Sequence, residues 1–170
     1  MTSHALTMDE VAAAIEIAAS SPDAQAAYAA VDRLAQHAIG HRLFTVMRYL
    51  PATVEVERLY SSNPSAYPPG GRKPKQGTPW GDAVLDRGEV FIAADAEGVR
   101  TAFSDHALLA QLGISSILNI PIRARGRVLG TMNLSHEAGH FMSEVIGPGQ
   151  VLAGLLVPLL LDTAGERTGP

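Results

Sequence analysis

The pattern H-E-x-x-H is the stretch whose residue types and spacing most directly suggest chemistry. It is formed by His136, Glu137 and His140. In zinc peptidases, two histidines one helical turn apart bind the metal, and the glutamate activates a metal-bound water. The residues before His136 alternate as in a strand, however, and Gly139 is typical of a loop. We therefore expect a strand and an exit turn here, with zinc hydrolysis through these three residues as a remote alternative.

A second group of polar residues lies on two neighbouring segments, 115–122 and 127–135, which predict a β-hairpin. A three-residue turn at positions 124–126 would pair Ile122 with Val128, and one face of the hairpin would then be wholly apolar. The opposite face would carry five polar side chains among three apolar ones: Ser115, Asn119, Thr131, Asn133 and Ser135, with Ile117, Pro121 and Leu129.

The segment from Trp80 to Gly113 predicts two short helices and a strand that could cover this polar face. The enclosed space would suit a neutral, hydrogen-bonding small molecule, because the strands bring amides and hydroxyls but no charge. Ordered water is an equal alternative partner for the asparagines, and Trp80 could be plain core. The residues we expect to contact a ligand are Trp80, Asp95, Phe103, Ser104, His106, Ile117, Asn119, Thr131, Asn133 and Ser135.

The remaining sequence supplies the elements that must position this face. A capping box at Thr7 begins one helix, and Ser21 with Pro22 is expected to begin a second that ends near Gly40. Residues 43–50 and 53–60 predict a second hairpin, followed by an irregular loop over 61–77. That loop carries Arg72, Lys73 and Lys75, which form either a solvated basic surface or a clamp for an anion.

Composition restricts the class of protein. The 170 residues suffice for a single domain, with no cysteine for disulfides or thiol chemistry. The net charge of −4 is scattered along the chain, which argues against nucleic-acid binding. The most apolar run, residues 151–161, contains Pro158 and is shorter than the roughly 20 residues of a membrane span. The N-terminus does not resemble a secretory signal, so we expect a cytoplasmic protein with no membrane association.

Three phrases in this order, AVLDRGEVFIAAD (83–95), LGISSILNIPI (112–122) and GRVLGTMNLSHEAGHF (126–141), resemble a GAF domain. The resemblance implies an α+β fold of the GAF-like, PAS-related type, with an antiparallel sheet of about six strands. Terminal helices would cover one face, and a ligand pocket would lie under loops and short helices on the other. We expect one domain over residues 1–170, with 1–20 as a helical extension, 22–160 as the core with its flanking helices, and 161–170 as a tail.

The resemblance also implies a role in signalling. GAF domains are mostly small-molecule sensors and dimerisation modules, and this chain lacks the motifs of the specialised branches. Asn133 is followed by Leu134, which breaks the cyclic-nucleotide pattern, and the cysteines of bilin-binding and reductase members are absent. We therefore expect a non-catalytic, cofactor-free sensor of an unidentified small molecule, homodimeric through its terminal helices and acting on a separate partner. The alternative is a ligand-free scaffold whose dimer interface is its function.

Overall fold

The computed structural model describes residues 4–165, so part of the predicted tail, 166–170, lies outside the described residues. Helix α1 spans Met8–Ser20 and begins with the predicted capping box, in which the Thr7 N–H donates to Glu10 Oε2 at 2.9 Å. Helix α2 spans Ala24–Ala38. Its cap is Asp23, whose carboxylate accepts from the Gln25 N–H at 2.9 Å, and not Ser21 as the sequence suggested.

Six strands form one antiparallel sheet in the order β3-β2-β1-β6-β5-β4. The predicted architecture of an α+β fold with a sheet of about six strands is therefore confirmed. The two longest strands, β5 and β6, come from the predicted C-terminal hairpin. The strands are β1 (Leu43–Leu50), β2 (Glu55–Ser61), β3 (Arg72–Pro74), β4 (Phe91–Ala93), β5 (Ser116–Ala124) and β6 (Arg127–His136).

The turn between β5 and β6 differs from the predicted three-residue loop. Ala124 pairs with Arg127, so the loop has two residues, Arg125 and Gly126, with φ of 50° and 75° as a type I′ turn requires. A bulge at Leu129 then shifts the register. Together they move the pairing beyond the bulge by two residues from the predicted one, and an even shift leaves the residues from Gly130 to Ser135 on their predicted faces. Between the turn and the bulge the prediction was wrong: Val128 packs with the cluster of Trp80 and Val84, and Leu129 packs with the helix-side core.

The apolar face of the sheet packs against four helices. Helices α1 and α2 lie there with α5 (Ile146–Leu155), which follows a 3₁₀ turn, and α6 (Val157–Gly165). Pro158 has no N–H to continue the helix, which accounts for the break between α5 and α6. The leucines of this segment form two sets spaced four residues apart: Leu152, Leu156 and Leu160 are buried in the core, while Leu155 and Leu159 are only partly covered.

The opposite face lies under the segment between β3 and β5. A π-helical turn (Gly81–Asp86) precedes β4, and helices α3 (Ala96–Ala102) and α4 (His106–Gln111) follow it. The sequence predicted the first and last of these elements but missed α3, which Asp95 caps by accepting from the Gly98 N–H at 2.8 Å. It also missed β3, a three-residue edge strand inside the proline- and glycine-rich loop. We refer to residues 80–113 as the cover segment.

Candidate ligand-binding cavity

A row of polar side chains crosses the sheet beneath the cover segment. The register places Asn119 opposite Asn133, and Asn133 opposite Thr45. Asn119 Nδ2 donates to Asn133 Oδ1 at 2.7 Å, and Asn133 Nδ2 donates to Thr45 Oγ1 at 3.1 Å. Trp80 Nε1 closes the row by donating to Asn119 Oδ1 at 2.9 Å.

This row corrects one expectation from the sequence. We expected a ligand or water to satisfy the two buried asparagines, because a buried amide without partners is costly. The protein supplies those partners itself, from β1 and from Trp80. The tryptophan is both core and cavity wall: it is 4% exposed, packs with Val56, Val84 and Leu85, and holds the cover segment to the sheet.

A cavity of about 60 Å³ lies between this row and the cover segment. Six of the residues predicted to contact a ligand line it: Trp80, Phe103, Ile117, Asn119, Asn133 and Ser135. The other lining residues come from β1, β2, β3, the loops on either side of β3 and the cover segment, and they were not predicted as ligand contacts. They are Leu43, Thr45, Met47, Arg58, Tyr67, Lys73, Lys75, Asp105 and Leu109.

The remaining four predicted residues are not part of the lining. Asp95 caps α3, and Ser104 is exposed one residue before Asp105, which occupies the cap position of α4. His106 is half-buried in the first turn of α4. Thr131 is on the predicted face but fully buried, and its hydroxyl has no hydrogen-bond partner among residues 4–165.

The charges in the cavity overturn the expectation of a neutral lining. That expectation considered only β5 and β6, whereas β2 brings Arg58, and β3 with the residue after it brings Lys73 and Lys75. Their only carboxylate companion in the lining is Asp105. Residue spacing could have located the lysines, since Lys73 and Lys75 share one side of an extended segment. It could not show which side faces inward.

Asp105 is the hydrogen-bonding centre of this charged group. Its Oδ2 accepts from Lys73 Nζ at 2.5 Å and from the Tyr67 hydroxyl at 2.9 Å. Burial alone would raise the pKa of Asp105, but the hydrogen bond and charge of Lys73 outweigh it and hold this pKa below its ordinary value. Burial, with the neighbouring Asp105 charge, raises the pKa of Tyr67, so its proton stays in the bond.

Lys75 has a different environment. Its Nζ lies 4.5 Å from the centroid of the Trp80 ring and 5.6 Å from that of Phe103. Within residues 4–165 it makes no ion pair with a carboxylate. Burial, followed by the charge of Lys73, lowers the pKa of Lys75 to about 8. Lys75 is thus a cation held by ring faces alone.

The H-E-x-x-H residues lie away from this cavity and are not helical. His136 ends β6, and residues 137–139 turn out of the sheet, as predicted. The rings of His136 and His140 stack at 3.6 Å between centroids, and His140 Nε2 lies 2.8 Å from the Ile39 carbonyl oxygen. Glu137 pairs with Arg42 at 2.7 Å. The described residues contain no group of three or more potential metal ligands, so the geometry that the zinc chemistry needs is not formed.

The sequence matches the GAF domain family over residues 5–157. No curated protein matches the chain at the level of sequence. Over the part of the chain that the structure describes, none of the helices has the length and apolar character to cross a membrane.

Solved structures share the fold at low sequence identity. The GAF domain of an Acinetobacter phosphoenolpyruvate-protein phosphotransferase has a TM-score of 0.72 and 16% identity, with 96% of each chain covered. The chromophore-binding domain of the bacteriophytochrome RpBphP3 from R. palustris has a TM-score of 0.66 and 16% identity; 92% of this chain and 61% of that one are covered. A methyl-accepting chemotaxis protein segment has a TM-score of 0.69 and 13% identity, with 94% and 99% covered. On the family match and the shared fold, the chain belongs to the GAF domain family, whose members serve as signalling and sensing domains.

Proposed function

We propose that this GAF domain is a cytoplasmic, non-catalytic sensor that binds a small molecule in the cavity under the cover segment. The observation that carries the proposal is the lining of the cavity. Its row of polar side chains has hydrogen-bond partners within the protein, whereas some of the charged side chains next to the row have no carboxylate partner among residues 4–165. Such a site is preformed, so a ligand could enter without disrupting the sheet. A separate partner would receive the signal.

Trp80 offers both a route for the signal and a way to observe it. It is the only tryptophan of the chain, it lines the cavity, and it links the cover segment to the sheet. A ligand that alters the Trp80–Asn119 bond would shift the cover segment relative to β5. Tryptophan emission would report the same event.

The test is a titration of tryptophan emission with four probes of similar size: propionamide, 1-propanol, propionate and propylammonium. We expect at least one saturable response. Ser135→Ile, which adds carbon atoms at the lining, should abolish it, and Ser135→Ala, which leaves the space open, should retain it. If no probe gives a saturable response, the cavity does not serve as a ligand site.

The ligand-free dimerisation scaffold remains a second candidate, because one surface of the helical layer is apolar and uncovered. Ile15 of α1, Val151 of α5 and Leu161 of α6 are exposed by 51%, 50% and 42%. Of these three, Ile15 lines a groove of about 340 Å³ between α1, α2, α5 and α6. An apolar surface of this kind favours association with a second copy through the terminal helices.

Light scattering coupled to gel filtration distinguishes the oligomeric states. We expect a dimer for the wild-type chain and a monomer for Val151→Asp, because a carboxylate cannot be buried in an apolar interface without a large penalty. Asp162→Ala, next to this surface in sequence, is the control. A monomeric wild type would remove dimerisation from both candidate functions.

A further inference from the structure

We propose that the cavity binds a small organic monocarboxylate, with its carboxylate group paired to Lys75 and Arg58 and its carbon chain against the aromatic walls. This inference rests on the proposed function of the cavity as a ligand site. It specifies the chemical class of the ligand, which the family assignment leaves open.

The charges of the lining are the first argument. Three basic side chains, Arg58, Lys73 and Lys75, face one acid, Asp105. Lys73 and Tyr67 already bind the carboxylate of Asp105 through the same oxygen. The lining therefore carries two cations without a bound carboxylate, an arrangement that is costly in a partly enclosed site unless an anion neutralises it.

Arg58 supplies the second, independent argument. This side chain is only 5% exposed, and its guanidinium carbon lies 4.9 Å from the centroid of the Tyr67 ring. Nη1 donates to the Pro68 carbonyl oxygen at 2.9 Å, whereas Nε is buried without an acceptor among residues 4–165. Buried polar atoms are nearly always hydrogen-bonded. An anionic oxygen in the cavity is the acceptor whose charge also matches the guanidinium.

The size and the walls of the cavity define the rest of the ligand. A cavity of about 60 Å³ is several times the roughly 10–15 Å³ that one water needs, so the site suits a small ligand of about four to six non-hydrogen atoms. Trp80 and Phe103 supply apolar ring surface next to Lys75. A short carbon chain would cover this apolar surface, whereas with an inorganic anion the ring surface would stay in contact with water.

Lys75 should also make binding depend on pH. Its pKa, lowered to about 8 by burial and by Lys73, leaves it mainly protonated at pH 7 and mainly neutral at pH 9. The other charged or titratable groups of the lining are Arg58, Lys73, Asp105 and Tyr67. The pKa of Tyr67 is raised and that of Asp105 lowered, so neither changes charge in this window. Carboxylate affinity should therefore fall as the pH rises from 7 to 9.

The experiment compares propionate with propionamide, which has the same size but no charge, by tryptophan emission at pH 7 and constant ionic strength. We expect saturable propionate binding, at least about 10-fold tighter than propionamide binding, as for loss of one charge-assisted hydrogen bond. Lys75→Met should reduce propionate affinity to the level of propionamide. Arg72→Met is the matched control. Arg72 is a basic residue three positions before Lys75, but it is exposed and paired with Glu57.

The other outcomes separate this inference from the proposed function. Equal binding of propionate and propionamide, or propionate binding that Lys75→Met leaves unchanged, overturns the carboxylate assignment while the cavity remains a ligand site. Inorganic phosphate binding as tightly as propionate overturns the organic part of the assignment. The absence of a saturable response to all of the small probes overturns both proposals.

Discussion

Replacing Lys75 by methionine should stabilise the protein at neutral pH, although the side chain is part of the candidate site. Lys75 has a partly buried ammonium group, contacts the rings of Trp80 and Phe103, and forms no ion pair within residues 4–165. Methionine keeps the length of the chain and its contact with the rings but has no charge to desolvate. A functional residue that reduces stability is a common feature of binding sites.

The magnitude follows from the pKa of Lys75, which burial lowers from 10.5 to about 8. The folded state holds fewer protons than the unfolded state between these two values, so this residue makes stability rise with pH across that window. Below pH 8 its full penalty is present, about 3 kcal/mol at 1.36 kcal/mol per pKa unit. The lost cation–π contacts offset about 1 kcal/mol of that gain. The expected net gain for Lys75→Met is therefore about 2 kcal/mol at pH 7.

Urea unfolding of wild type and Lys75→Met at pH 7 and at pH 10 measures this difference, and the comparison cancels the groups that titrate in both proteins. The gain should shrink by most of its value at pH 10. Lys73→Met is the matched control with the opposite sign: it should cost about 1–3 kcal/mol, because it leaves the Asp105 carboxylate without its cation. If Lys75→Met destabilises the protein, or if its gain is the same at both pH values, the argument from desolvation is wrong.

Four further predictions concern the sheet and helix α5. Asn119→Leu should lower the free energy of unfolding by about 2–4 kcal/mol, because the Trp80 N–H loses its acceptor; a loss below about 1 kcal/mol in urea unfolding would contradict this. Gly130→Ala should cost more than about 3 kcal/mol, since its Cβ would lie 2.0 Å from the Met47 carbonyl oxygen. Gly154→Ala, in an open helical position, should instead raise stability by about 0.5–1 kcal/mol, and equal thermal shifts for the two alanines would refute the steric argument. Burial, then the charge of His140, lowers the pKa of His136, so stability should fall as the pH drops below about 6.5; an NMR titration midpoint for His136 above that value would exclude it.

The glycine predictions connect one part of the family resemblance to a packing constraint. Gly130 lies on β6 where the backbone of β1 and the side chain of Leu160 approach, and the contacts leave no room for a side chain. The sequence identified this glycine only as part of the phrase G-R-V-L-G. The close approach of α6 and of the β1 backbone to β6 at this position supplies the physical reason for the glycine.

Local patterns were sufficient for most of the fold. The span of β1, the capping box of α1 and the faces of β5 and β6 follow from alternation and capping, which depend on residues close together in sequence. The faces beyond the bulge were predicted correctly although the turn was not, because the two-residue turn and the bulge at Leu129 together shifted the pairing by an even number. Only Val128 and Leu129, next to the turn, lie on the faces opposite to those predicted. The motif at His136 was also interpreted correctly from a local pattern, because the alternation before it indicated a strand and not a helix.

The charge of the cavity was decided only by the tertiary structure. The sequence by itself determined that polar side chains share one face of β5 and β6, since alternation along a strand is a local property. Whether Arg58, Lys73 and Lys75 face solvent or the cavity depends on how β2 and β3 pair and on where the cover segment lies. Those contacts join residues far apart in sequence, so no local pattern encodes them, and they place buried positive charge beside a row of amides that is already complete.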